Sequence, residues 1–374
     1  MTMDLPTDIL FYNILPRLPA KSASRFRCVS KQWNSFLTTP VFLKMHLHQV
    51  TNEHPQNHQK LLLFSAKTEC AFHSIHCEAL EEGLTGSRFL PFVDSTSSSK
   101  YITILTSCNG LVCVGILASE SEYSDMILWN PLTGEYKRLS YPHYYKECYK
   151  VTGSASELYY SASDDDYKLL RVTKDRHAYI YSLKLNSWRE LYSTDDLQRR
   201  PNLVWGASTL QNGKLYFIDE DVIKTRGQLS YSIIRFDTKT EKFTVETTPC
   251  FGDDTTMCLN SMLLHKDGKI HLCAIYKDKS TELGAKLWML DGDGDGDWIE
   301  MATYDQIPRN FYVLKPLHLM KNGNWLTVCR SGCHVNELDP VRDFKKSSYS
   351  YTAHRIDNRK KGIYFETLES PYRR

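Results

Sequence analysis

The chain has 374 residues, 41% of them hydrophobic and 24% charged, and its Lys and Arg outnumber Asp and Glu by 46 to 44. A net charge of +2 excludes a bulk electrostatic pull toward nucleic acid, an anionic membrane or an acidic substrate, and the length suits one large domain or two smaller ones. The opening MTMDLPTDIL carries an acid at position 4 and no continuous apolar core, so no secretory signal is expected; no run approaches the roughly 18 apolar residues that span a bilayer.

The charge is unevenly spread. Residues 1–50 hold six basic side chains (Arg17, Lys21, Arg25, Arg27, Lys31, Lys44) against Asp4 and Asp8, a net +4, which leaves −2 for the rest and points the front end at an acidic partner. Eleven cysteines include no C-x-x-C pair, and many lie in apolar runs where cysteine acts as a small hydrophobe. A zinc ribbon and a redox pair are both disfavoured, and a reducing compartment, cytoplasm or nucleus, is expected.

In chain order, LPTDILFYNILPRLP starts a first helix at Pro6 and sets Leu10, Ile14 and Leu18 four apart on one stripe. Pro16 should end or kink that helix at Leu15, because it lacks an N–H and disfavours helical geometry before it. AKSASRFRCVS reads as a second helix; Ser30 caps a third, KQWNSFLTT, stopped before Pro40, and a further short helix starts at Val41. The polar TNEHPQNHQK, 51–60, reads as a linker between a helical segment 1–50 and a body 61–374.

The body is a series of short strand-like runs. Asn109-Gly110, Asn212-Gly213, Asp267-Gly268 and Asn322-Gly323 each precede an alternating run, with glycine intervals of 103, 55 and 55 residues. A second marker, a large apolar residue, a polar turn and a closing aromatic, recurs at Tyr136, Trp188, Phe243, Trp298 and Phe344, spaced 52, 55, 55 and 46 apart. Two markers in step at a period of about fifty predict propeller blades, roughly six of them, rather than an irregular sandwich. The double glycine of true kelch repeats is missing, so the likeness to kelch is loose.

LPTDILFYNILPRLPAKSASRFRCVSKQWNSFL resembles an F-box, the three-helix module that docks on Skp-family adaptors of cullin-based ubiquitin ligases. SCNGLVC, LWNPLTGEYKRL, SDDDYKLLRV, IYSLKLNSWREL and a closing GIYFETLESP resemble, in the same order, the F-box-associated domain of a large plant family. The resemblance implies a three-helix F-box followed by an all-β, kelch-like propeller of about six blades. It further implies that Leu5, Pro6, Ile9, Leu10, Ile14, Leu18, Arg25, Val29 and Trp33 face an acidic Skp-type adaptor, which brings cullin and RING subunits. The physics agrees: some fifty residues enclose too little volume to bury all these apolar side chains. Phe26 and Phe36 are expected to close the junction between the helices and the body rather than face a partner, and Trp33 could do the same.

Chemical motifs are few. DGDGDGDW, 291–298, imitates the first half of an EF-hand loop, but loop position twelve is Ala302 where a bidentate Glu is needed. Met289 to Trp298 spans nine residues where the sister turns span seven, so a lengthened, solvated turn is expected. No G-x-S-x-G, P-loop, H-E-x-x-H or dinucleotide fingerprint occurs. His334 beside Cys333, and His73 and His76 near Cys77, are assigned no chemistry, and DDDYK at 164–168 reads as a hairpin end. No catalytic residue, cofactor or metal is expected.

The resemblance therefore implies a substrate receptor that recruits a target protein for ubiquitination, with a non-ligase F-box scaffold, a propeller enzyme or a sugar-binding module as alternatives. The plant family includes S-locus F-box proteins that recognise pollen-rejecting ribonucleases, but no residue here singles out that role. The target-binding residues stay unassigned; the tyrosine-rich YPHYYKECY, 141–149, suits either an interface or an outer strand and loop packed on a neighbouring blade.

Overall fold

In a computed structural model of the chain, residues 6–372 are described apart from connecting segments, the longest being 140–153, 192–204 and 348–362. The first helix changes character at Pro16, whose ring nitrogen cannot donate to a carbonyl one turn back. After α1 (Thr7–Ile9), Leu10–Ile14 widen into a π-helical turn closed by the Leu15 N–H on the Leu10 carbonyl, and Leu15–Arg17 tighten into a 3-10 turn that holds Pro16. The kink falls at Leu15, where expected. The wide turn also corrects the expected stripe: it brings residue 15, not 14, beneath residue 10, so Leu15 is 1% exposed while Ile14 stays 37% exposed.

Three further helices follow: α2 (Ala20–Phe26), α3 (Lys31–Leu37) and α4 (Pro40–His48). The Ser30 hydroxyl caps α3, accepting from the Trp33 N–H at 3.1 Å. The Thr39 hydroxyl caps α4 in the same way at 3.2 Å with Pro40 in the first turn, so this helix begins one residue before Val41. A helical turn continues through Gln49–Glu53 and the first strand opens at Gln59, so both ends of the expected 51–60 linker carry regular structure.

The strands form six antiparallel sheets. The first blade holds β1 (Gln59–Ser65), β2 (Ala71–His76) and β3 (Thr85–Phe89). The second is β4 (Tyr101–Cys108), β5 (Leu111–Leu117), β6 (Tyr123–Trp129) and β7 (Tyr136–Arg138). The third is β8 (Ala155–Ser161), β9 (Asp166–Val172), β10 (Ala178–Ser182) and β11 (Ser187–Leu191). The fourth, β12 (Trp205–Gln211), β13 (Lys214–Thr225), β14 (Gln228–Asp237) and β15 (Lys242–Thr247), gains a short fifth strand, β16 (Gly252–Asp253), on β14. The fifth is β17 (Met257–Lys266), β18 (Lys269–Lys277), β19 (Leu283–Leu290) and β20 (Trp298–Ile307). The sixth is β21 (Leu314–Leu319), β22 (Trp325–Cys329), β23 (Val335–Asp339) and β24 (Asp343–Ser347). Finally β25 (Ile363–Phe365) returns to the first blade and pairs with β1, Lys60 opposite Tyr364.

Both sequence markers have structural counterparts. The Asn-Gly and Asp-Gly pairs join the first two strands of blades two, four, five and six; Asn109 and Gly110 both have positive φ, 51° and 86°, as a tight primed turn needs. The double interval of 103 residues spans blade three, where the turn is Ala162 to Asp165 and Asp165 takes the left-handed conformation at φ 50°. The closing aromatics each stand on their blade's outermost strand, with Trp129 opposite Tyr136, Tyr181 opposite Trp188 and Phe236 opposite Phe243. In blade five the register pairs Leu290, rather than Met289, with Trp298, so that turn is one residue longer than its sisters.

The core lies between blades. Leu128 of blade two meets Tyr167, Leu169 and Tyr181 of blade three, and Tyr159, Leu170 and Ile180 of blade three meet Leu215, Phe217 and Phe236 of blade four. Such seams repeat to blade six, where Leu319 and Trp325 pack on Leu264 and Ile275. A ring of sheets buried on both faces explains strands such as β10, whose five residues are all buried.

Candidate functional site

The four helices share one small core of Phe11, Leu15, Ala20, Ala23, Leu37 and Phe42. Around it sits an aromatic cluster: Phe11 meets Phe36 edge-on at 4.5 Å, Phe36 meets Phe42 at 5.4 Å, and Trp33 contacts Phe26 at 5.5 Å and Phe11 at 5.9 Å. Phe26 and Phe36 pack against the helix cluster, which also takes in Leu368 and Leu132 from the propeller side. Trp33 is half-buried against the same cluster. The buried His46 pins α4 beneath the first segment, its Nε2 3.0 Å from the Leu18 carbonyl.

Of the nine residues singled out by sequence, Leu5 lies outside the described residues. Pro6, Ile9, Ile14, Arg25 and Val29 are exposed, Ile9 to 43% and Val29 to 59%. Leu10, Leu18 and Trp33 are half-buried against the helix core. Two more apolar side chains, Tyr12 at 53% and Val41 at 57%, join the exposed set. Sequence reasoning missed both: Tyr12 turns outward with the π-helical turn, and Val41 because α4 starts at Pro40. Isolated exposed hydrophobes are ordinary, but on a bundle of four short helices five are left uncovered by the described residues.

The propeller accounts for part of the basic charge. Lys44 on α4 pairs with Asp165 at the β8–β9 turn, 3.2 Å apart, and burial lowers the Arg27 guanidinium while Glu135 of the second blade opposes that shift. Arg17, Lys21, Arg25 and Lys31 remain exposed to solvent, as does Asp8. The net positive surface on the helices is thus carried by residues 17–31.

Three of the sequence signatures meet where helices and propeller touch. Asn130, after β6, is fully buried; its amide nitrogen donates to the carbonyls of Thr367 at 3.0 Å and Glu369 at 2.7 Å, and its amide oxygen accepts from the N–H groups of Leu132 and Thr133. The Thr367 hydroxyl donates to the Asn109 carbonyl at 2.7 Å. Gly110 is required there: a Cβ on it would stand 2.0 Å from the Thr367 hydroxyl. WNP, CNG and the 363–371 segment therefore interlock, and their polar residues serve the fold rather than a ligand.

Other candidate chemistry dissolves on inspection of the geometry. Cys77 is fully buried, and burial first and Glu78 second push its thiol far up, which disfavours a thiolate nucleophile. His76 Nδ1 accepts from the Glu78 N–H at 3.2 Å. In the acidic stretch Asp291 pairs with Lys269 at 3.6 Å, and residues 293–295 lie outside the described residues. At 164–166, Lys168 and Ser161 hold the Asp164 carboxyl below its usual value, and Asp166 is buried against the Ser182 hydroxyl, so this hairpin end is half solvated and half built in. Cys333, His334 and 141–149 are also outside the described residues. Among the described residues no group of three or more His, Cys, Asp or Glu is placed to hold a metal ion.

A small helical unit with exposed apolar side chains, fixed to a six-bladed propeller, is the architecture of an F-box followed by a propeller domain. Family models match the F-box domain over residues 3–45 and the F-box associated beta propeller domain over residues 87–333, and the chain belongs to the family of F-box proteins that carry this propeller. Similar curated proteins of Arabidopsis thaliana include the probable F-box protein At5g47300, 30% identical over 65% of this chain and 55% of its own length. F-box protein ETP1 is 29% identical over 64% of this chain and 58% of its own length, and F-box protein At1g47340 is 24% identical over 81% and 64%. The chain thus spans between half and two thirds of the length of these relatives.

Proposed function

We propose that this chain is the substrate-recognition subunit of a Skp, cullin and F-box ubiquitin ligase. The observation that carries the reading is the exposure of five apolar side chains on the helices, Ile9, Tyr12, Ile14, Val29 and Val41, together with exposed Arg25. An acidic Skp-type adaptor that offers an apolar surface would complement them in hydrophobicity and charge. Leu5, Pro6, Leu10, Leu18 and Trp33 then border or support the contact. The adaptor brings the cullin and RING subunits, in the cytoplasm or nucleus. The propeller holds a target protein, and holding it beside a charged ubiquitin-conjugating enzyme raises the local concentration of its lysines. Acceleration comes from proximity, and this chain supplies no catalytic group to the transfer.

Co-purification with a Skp-type adaptor is the test. Ile9→Asp combined with Val29→Asp should abolish capture of the adaptor while leaving thermal unfolding unchanged. Undiminished capture by that folded variant overturns the assignment.

A further inference from the structure

Ten residues of the chain, 363–372, touch the first blade, the second blade and the helices. Ile363–Phe365 complete the first blade beside β1, and Tyr364 is buried in the seam between blades one and two with Leu62, Phe72 and Trp129. Thr367 sits on the Asn109 carbonyl and Asn130 grips the backbone on both sides of Leu368. Leu368 itself, 3% exposed, is packed in the helix core with Phe11, Leu15, Leu37 and Phe42, and Leu132 of the second blade lies against the same cluster. Tyr372 ends the run with its hydroxyl donating to the Tyr136 carbonyl at 2.7 Å.

Tyr364 in the propeller seam and Leu368 in the helix core are four positions apart, a distance of at most about 14 Å along an extended chain. So short a strap cannot slacken at one end without disturbing the other. The helices, for their part, lack the volume to make a core alone, and Leu368 fills a place that nothing within residues 6–53 occupies.

We infer that residues 366–369 are a coupling strap: the helices hold their docking shape only while the propeller ring is closed, so adaptor binding and ring closure are thermodynamically linked. The adaptor half of this statement rests on the function proposed above; the link between strap and helices does not. Linkage is reciprocal, so an adaptor bound to the helices tightens the closure of β25 on β1 by the same factor that closure strengthens adaptor binding.

Hydrogen exchange on the full chain tests it, with a purified Skp-type adaptor as the probe. In Leu368→Ala, amides of α3 and α4 should exchange about tenfold faster while those of β13 and β14 keep their rates, and adaptor affinity should fall by about tenfold. In the unmodified chain, saturating adaptor should slow exchange in β1 and β25. Should Leu368→Ala aggregate, Thr367→Val keeps the shape, removes the hydroxyl that holds the strap to Asn109, and should raise α3 and α4 exchange by about threefold. Unchanged α3 and α4 exchange in the folded variant overturns the strap, as does adaptor binding that leaves β1 and β25 unaffected. If the unmodified chain binds no adaptor at all, the ligase reading fails, and the response of the helices to Leu368→Ala then decides the strap alone.

Discussion

The carboxylate of Glu78 accepts a 2.8 Å hydrogen bond from His318 Nε2, 240 residues further along the chain, and a 3.0 Å bond from the Lys321 N–H. Glu78 follows β2 in the first blade and His318 stands on β21 in the sixth, so the pair ties the last blade of the ring to the first. His318 is buried, 4% exposed, and the Glu78 side chain is largely covered, 12% exposed.

Burial alone would raise the Glu78 carboxyl, but the bonds from His318 and Lys321 outweigh it and hold the group below its ordinary value of 4.5. A carboxyl whose folded value is depressed adds stability that is complete above the unfolded value and is lost as pH falls through the folded one. Acid titration of the folded protein should therefore show a loss beginning below pH 4.5 that Glu78→Gln lacks. At neutral pH that substitution should cost about 1–2 kcal/mol in denaturant unfolding.

Gly110 and Gly323 have nearly the same backbone, φ 86° and 85°, in very different surroundings. A Cβ on Gly323 meets nothing within 4 Å, so Gly323→Ala should cost only the strain of left-handed geometry, about 1 kcal/mol. On Gly110 it would collide with Thr367, and Gly110→Ala should cost at least about 3 kcal/mol and loosen the 363–372 segment. Equal costs for the two, by thermal unfolding, would contradict the packing described.

At Asn130 the chemistry of each half of the amide can be separated. Asn130→Asp keeps the oxygen that caps the Leu132 and Thr133 N–H groups but loses the donor to two carbonyls and aims a charge at them. It should destabilise by about 3 kcal/mol or more, beyond the effect of Asn130→Ala. An Asp variant more stable than the Ala variant would show that the turn caps, not the grip on Thr367 and Glu369, carry the residue's weight.

The pair Lys44 and Asp165 makes the opposite case. Both side chains are half exposed, so Lys44→Ala should change stability by less than about 0.5 kcal/mol, and added salt should not alter the result. A larger loss would mean that this bridge, rather than Leu368, fixes the helices on the propeller.

Much of this arrangement can be read from the sequence because blades repeat a local event. A positive-φ turn after the first strand calls for Asn-Gly, and a closing aromatic packs across the third and fourth strands, so both recur wherever the event does. Blade three hides one marker because Asp165 takes the left-handed turn that glycine takes elsewhere. The first blade shows no period at all, since its strands come from Gln59–Phe89 and Ile363–Phe365. The helix caps at Ser30 and Thr39 follow from local hydrogen bonding and are legible, whereas the exposure of Tyr12 and Ile14 depends on how the chain relieves Pro16. Least legible is Leu368, whose place in the helix core is set by the closed ring and by no nearby residue.

The split first blade has a consequence for synthesis. Nearly three hundred residues must leave the ribosome between Ser65 and Ile363, which at cellular translation speeds takes about 15–60 s. Throughout that interval β1 lacks the neighbour that β25 will supply, and the nascent helices wait with a hole where Leu368 belongs. A chaperone that shields this unfinished edge should be found on stalled nascent chains ending before residue 363 and be gone from those that expose residue 372.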